Sequence, residues 1–163
     1  MKRDLKRIME PRVPSAEARL RAMEQLAAVD IPVSVLLAPV IPALNDDEIE
    51  RVLEAAANAG AGDAAYIFLR LPHEVKDIFK EWLHTHFPDR AARVMSLVRD
   101  ASGGQDYDNR FGIRQTGRGP YADLLGKRFR AACRRFGLVP GRREAGLDCS
   151  QFDPPGQQQL GLF

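Results

Sequence analysis

The sequence predicts an α/β protein built on a parallel sheet, and three observations carry that prediction. Helical and strand-like segments alternate through the first 72 residues. The two strand-like runs lack the polar–apolar alternation of half-exposed strands, as parallel strands covered on both faces do. A helix-length segment separates the runs, which is the spacing of a βαβ unit. With 163 residues, 45% of them hydrophobic, the chain has the length for a core of its own.

The first helix is predicted over residues 16–29. Ser15 is a good N-cap, and Ala16, Leu20, Met23, Leu26 and Ala27 recur at helical spacing. Pro32 ends that pattern, and Val33-Ser34-Val35-Leu36-Leu37-Ala38 reads as a strand, followed by a loop over 39–45. Asn45 or Asp46 is placed to cap a second helix with Ile49, Val52, Leu53 and Ala56 inward, which Gly60 stops. Ala64-Ala65-Tyr66-Ile67-Phe68-Leu69 forms the second strand.

Beyond Pro72 the pattern is helical, over 74–86, 88–99 and, after a polar loop at 100–119, over 121–136. Residues 139–158 are rich in Gly, Pro, Arg and Gln and read as a disordered linker. Two parallel strands with free edges do not make a lasting sheet, so at least one further strand is expected before Met1.

Charge is unevenly spread. Residues 110–143 hold ten Arg and Lys against one acidic residue, Asp123, a net of +9, while the rest of the chain carries −7. Such clustering suits a polyanion, because cations that meet phosphates release counterions; the alternative is a solvated helical face. In the last helix Lys127, Arg128, Arg134 and Arg135 line one broad face, opposite a stripe of Leu124, Leu125, Phe129, Ala132 and Phe136. With no aromatics among those charges, phosphate contact with DNA is expected rather than base stacking.

The N-terminus lacks the apolar core of a signal peptide, and the longest apolar run, 31–44, is short and interrupted by proline. No membrane partner is expected. A cytoplasmic location with Cys133 and Cys149 reduced is the default. Those two cysteines fit no zinc, iron–sulfur or redox spacing.

Other candidates carry little. His84 and His86 are two apart and diverge on a helix, and Glu81 with His84 is only a pair. Gly117-x-Gly119 before a helix is too short to name a nucleotide site. Phe79, Trp82 and Phe87 fall at helical spacing and read as core.

Five stretches, taken in order, resemble the C-terminal half of a radical SAM protein of the DNA repair photolyase-like type, related to spore photoproduct lyase. They are Met9-Glu10-Pro11-Arg12, the run from Val35 through Pro39-Val40-Ile41-Pro42 to Glu48, Phe68-Leu69-Arg70-Leu71-Pro72-His73-Glu74-Val75-Lys76, Gly103-Gly104-Gln105-Asp106-Tyr107 and Gly117-Arg118-Gly119-Pro120-Tyr121. The resemblance covers residues 9 to about 138. It implies a partial (βα)6 barrel, of which these would be the fifth and sixth strands, followed by a mostly helical C-terminal extension.

Members of that family hold a [4Fe–4S] cluster on a C-x-x-x-C-x-x-C loop, chelate S-adenosylmethionine to it, and generate a 5′-deoxyadenosyl radical. No such loop occurs here. The complete protein is therefore expected to use S-adenosylmethionine and a 4Fe-4S cluster, and this chain alone neither. The adenine wall of the family maps to Ala38, Pro39, Val40 and Ile41, with Tyr66 and Leu69 nearby; the other reading is that all six are core. Ala43 stands where the family usually has glycine.

The chain ends Gln159-Leu160-Gly161-Leu162-Phe163, which resembles the bacterial sliding-clamp-binding peptide. A glutamine for a pocket rim and apolar side chains for a groove, carried on a linker, suit a linear motif. The sequence thus divides into residues 1–72, part of the barrel, 73–138, a helical extension with the basic segment, and 139–163, a disordered tail with the clamp-like motif. It reads as the C-terminal fragment of a radical SAM enzyme, inactive alone and completed by the missing N-terminal barrel half. The competing reading is a non-catalytic adaptor that binds DNA and the sliding clamp.

Overall fold

Two parallel strands and the helix between them frame the computed structural model, which describes residues 3–141. In chain order the elements are α1 (Arg3–Met9), α2 (Ala16–Ala27), β1 (Val33–Val40), a 3-10 turn (Asp46–Glu48), α3 (Ile49–Asn58), β2 (Ala61–Phe68), α4 (Val75–His86), α5 (Pro88–Ala101), α6 (Pro120–Phe136) and β3 (Val139–Pro140). The sheet order is β1-β2-β3, all parallel. The α/β class and the helix–strand alternation agree with the sequence reading.

Ser15 caps α2 as expected, its hydroxyl accepting from the Ala18 N–H at 3.2 Å. The register of β1 on β2 runs from Val33 opposite Ala61 to Val40 opposite Phe68. Between Leu37 and Val40 the chain takes three steps while β2 takes two, from Tyr66 to Phe68, so β1 bulges at Ala38 and Pro39. The Ala38–Pro39 peptide is cis. Strand β1 thus runs to Val40, past the proline at which the sequence reading ended it. Strand β2 begins at Ala61, three residues earlier than expected, directly after Gly60.

Two expectations fail. The first is that both strands are buried on both faces. Val35 and Leu37 turn toward α3 and α6, whereas Ser34, Leu36 and Ala38 are exposed on the opposite face, Leu36 at 58%. The helices cover one face of β1 only, so an apolar residue such as Leu36 sits in solvent, while the residues of β2 are buried or half-buried.

The second is the linker beginning at 139. Gly137, in the left-handed region at φ 71, ends α6 and turns the chain beside β2. Asp63 then pairs with Val139 and Ala64 with Pro140, and the Gly141 N–H donates to the Ala64 carbonyl at 2.8 Å. Two residues, one of them proline, give no readable strand pattern. Residues 142–158 of the expected linker lie outside the described residues.

The core has two parts. One lies between the sheet, α3 and α6, with Leu53, Ala64, Phe68, Leu125 and Phe129 at its centre. The other lies around α1, α4 and α5, where Leu83, Val94 and Val98 are fully buried beside Ile41, Leu44 and Leu71. Phe79 and Trp82 stack there at 5.7 Å, and Trp82 meets Phe87 at 5.6 Å, as the spacing predicts. Each large apolar side chain so buried stabilises by about 1.5–3 kcal/mol. Helix α2 buries no residue.

The turn after α3 passes close to the end of α2. A Cβ on Gly60, whose φ is +89, would lie 2.5 Å from the Ala27 Cβ. Gly60→Ala is therefore expected to destabilise by about 1–3 kcal/mol. Gly104→Ala has a similar φ of +88 but open space, so it should cost less, about 1 kcal/mol. Urea midpoints with unchanged slopes check the pair.

Candidate functional site

Loop geometry at the C-terminal end of β1 comes from one side chain. Asn45 accepts the Ile41 N–H on Oδ1 at 2.7 Å and donates from Nδ2 to the Pro39 carbonyl at 3.0 Å. It makes no helix-capping bond, so the expected cap is instead a loop clamp. The turn it closes passes through Ala43 at φ 56, a conformation that favours glycine. Leu69 continues the sheet past β2, its N–H donating to the Val40 carbonyl at 3.0 Å.

Beside this end lies an open, mostly apolar cavity of about 370 Å³ along the free edge of β1. Met9 of α1, Leu20 and Met23 of α2, and Leu36, Ala38 and Pro39 of β1 contribute to its wall. Among the described residues no strand pairs with that edge.

The cavity brings together Ala38, Pro39 and Val40 of the six residues mapped to the adenine wall. The other three are elsewhere. Ile41 is fully buried and Leu69 nearly so, both in the core around α4 and α5. Tyr66 turns to the opposite face, its ring 4.8 Å from Phe129, and burial pushes its hydroxyl pKa up. A parallel strand sends alternate side chains to opposite faces, and Tyr66 is in register with inward Leu37.

A polar clamp closes the other side of the same end. Arg128 makes a two-pronged bond to Glu50, Nε to Oε1 at 3.0 Å and Nη2 to Oε2 at 2.9 Å, and also donates to the Asp46 carbonyl at 3.1 Å. Tyr121 donates to Asp46 Oδ2 at 2.7 Å. Burial raises the Glu50 pKa, but the Arg128 hydrogen bond and charge outweigh it, and the carboxyl falls below its ordinary value. Burial first, then the bond to Asp46, pushes the Tyr121 hydroxyl far upward.

Arg128 is therefore not part of a free phosphate-binding face: it fastens α6 to α3. Lys127, Arg134 and Arg135 are exposed as expected, Arg135 lying 5.2 Å from the Phe136 ring centroid. The apolar stripe of α6 is also rotated. Ala122, Leu125, Gly126, Phe129, Ala132 and Cys133 face inward, and Leu124 is 54% exposed. Gly126 faces Tyr66, where a Cβ would lie 3.4 Å from the hydroxyl, an ordinary contact.

Cys133 is fully buried, and burial raises its thiol pKa, so it suits neither thiolate chemistry nor a metal. Among the described residues no group of three His, Cys, Asp or Glu is placed to hold a metal ion. These residues do not fit an iron–sulfur cluster. Cys149, Gln159, Leu160, Leu162 and Phe163 lie outside the described residues. No described helix is long and apolar enough to cross a membrane.

No family model matches this chain, and no solved structure matches it. Over 98 residues it is 30% identical to a protein of Mycobacterium tuberculosis and to one of Mycobacterium bovis, both described as uncharacterized. That stretch is 59% of this chain and 29% of either relative. The chain spans less than a third of the length of the relatives it matches.

The sequence reading missed the Asn45 clamp and the contribution of α1, because neither leaves a periodic signal. It also missed Asp106, which ties the loop after α5 to Lys80 at 2.6 Å and Arg99 at 2.7 Å. Two tests follow from these bonds. Asn45→Ala should lower stability by about 1–3 kcal/mol, because it strands the Ile41 N–H and the Pro39 carbonyl; thermal and urea melts check it. The Lys80 bond, with help from Arg99, holds the Asp106 pKa below its ordinary value. Its contribution is thus present above the unfolded pKa and lost as pH falls through the folded one. Asp106→Asn should be less stable than the parent at pH 7, with the gap closing as pH drops below about 4.

Proposed function

We propose that this chain is the C-terminal portion of a radical SAM barrel of the photolyase-like type, and that Leu36, Ala38 and Pro39 form part of its S-adenosylmethionine wall. One observation carries the reading: helices cover β1 on a single face. Helices α3 and α6 pack against Val35, Leu37, Ala64 and Phe68, while Ser34, Leu36 and Ala38 stand bare opposite. A doubly wound sheet has helices on both faces; a barrel has helices outside and strand side chains inside.

The bare face would be the barrel interior, and the free edge of β1 would take the preceding strand. The great length of the relatives beside the matched stretch is consistent with such a remainder. An adenine ring suits this wall because it offers a flat apolar face to Leu36, Ala38 and Pro39. The cluster, which supplies the electron for radical formation, would be held by residues outside this chain.

The deciding experiment is anaerobic isolation of the native protein with an antibody raised against residues 73–138. The expected result is bound iron and acid-labile sulfide, with 5′-deoxyadenosine formed on adding S-adenosylmethionine and a reductant. In that protein Ala38→Trp should abolish S-adenosylmethionine binding while leaving the iron in place. A native protein free of iron overturns the reading.

The tail proposal is separate and rests on Gln159-Leu160-Gly161-Leu162-Phe163 alone. Clamp binding by the whole chain should be lost when Leu162 and Phe163 are both changed to Ala. Undiminished binding by that variant removes the proposal. The adaptor reading needs this contact and a basic face, and the face is narrower than expected now that Arg128 is engaged.

A further inference from the structure

We propose that the loop over residues 108–118 binds single-stranded nucleic acid, with the Phe111 ring stacking on a base and Arg114 meeting the adjoining phosphates. The proposal is independent of the barrel reading, since it needs neither cofactor nor any residue outside this chain.

Phe111 is 89% exposed, the most exposed of the large apolar side chains described. The Arg114 guanidinium lies over its ring, 5.5 Å from the centroid. The loop over residues 108–118 holds three arginines against one acidic residue, Asp108, which pairs with Arg110 and lies 4.0 Å from Arg118, so that Arg114 is the cation left beside the ring. A bare aromatic ring among cations is what single strands require: a π-face for the base, which any base can use, and positive charge for the backbone. A duplex keeps its base faces stacked away from such a ring. The isolated ring, with the neighbouring Ile113 half-buried, is too small an apolar surface for a lipid bilayer.

The stem of the loop is fixed, although its tip is bare. The Gln115 carbonyl accepts the Phe68 N–H at 2.7 Å, and the Arg118 N–H donates to the Ala101 carbonyl at 2.9 Å. Asp108 accepts from both the backbone N–H and the guanidinium of Arg110, which holds its pKa down at about 2. Gly112, at φ +83 with open space around it, turns the chain immediately after the ring. A ring presented on a tethered loop has less freedom to lose on binding than one on a free chain. The Gln115 bond also places the loop at the C-terminal end of β2, the end at which parallel sheets present their ligands.

The test is fluorescence anisotropy of the whole chain with labelled oligo-dT, oligo-rU and a duplex of equal length. Single strands should bind more tightly than the duplex, and affinity should fall as salt rises. Phe111→Ala should weaken single-strand binding roughly fivefold or more and leave the salt slope unchanged. Phe111→Trp should preserve binding. Arg114→Gln should reduce the slope by about 0.7, one phosphate contact. A preference between dT and rU supports the loop in either case and identifies the strand. Equal affinity for the duplex, full affinity in Phe111→Ala, or no binding to any probe overturns it. Urea melts of Phe111→Ala, expected to match the parent because the ring is bare, keep a folding defect from imitating lost binding.

Discussion

Parallel pairing of β1 with β2 is the constraint on which the other elements depend. A parallel partner cannot be reached by a tight turn, so the chain must cross back, and α3 carries it along one face of the sheet. That crossing decides which face is covered. It also sets Asp46 and Glu50 where they meet α6, through Tyr121 and the two-pronged Arg128 bond. Helix α6 docks on the same side as α3, and the left-handed Gly137 then delivers β3 to the far edge of β2. One crossing therefore fixes the covered face, the third strand and the bare face together.

The polar clamp matters for position more than for energy. Arg128 and Glu50 are each about a third exposed or more, so solvent screens their attraction, and the pair contributes on the order of 1 kcal/mol or less. The apolar contacts of Phe129 and Leu125 supply far more. Yet apolar contact alone leaves rotation of α6 loosely specified. The clamp fastens α6 to α3 in the orientation in which Leu124 faces solvent.

The helices after α1 were legible in the sequence because their signals are local: Ser15 capping its own helix, Gly60 stopping α3, and apolar residues every three or four positions. The strands were legible as strands, but their burial was not. An apolar run reads the same whether both faces of a strand are covered or only one, and only the placement of α3 and α6 tells the two apart. Asn45 illustrates a second limit. At a helix entrance its side chain has two sets of backbone partners, the helix N–H groups ahead and the loop groups behind, and the sequence does not rank them. Arg128 illustrates a third. Its face of α6 was read correctly as charged, but its partner lies 78 positions away on α3. The six residues mapped to an adenine wall divide because Tyr66 shares the inward side of Leu37 and because Ile41 and Leu69 lie past the strand ends in the core around α4 and α5, while Ala38, Pro39 and Val40 line the cavity.

The basic segment, read as one patch, resolves into parts with different work. Arg128 is spent on the fold, Arg110 is committed to Asp108, and Arg135 lies against Phe136. The exposed remainder falls in two places, the outer face of α6 and the loop bearing Phe111. The second lacks the helical periodicity that makes a charged face visible, which is why base stacking was not expected from the sequence. Yet the loop is the better placed of the two, because its bond to Phe68 holds it at the C-terminal end of the strands, whereas α6 covers the opposite flank of β1 from its bare face. One approach to the bare side of this sheet runs past the strand ends. A tethered loop there, carrying a ring for a base and a guanidinium for a phosphate, stands where the strand would pass.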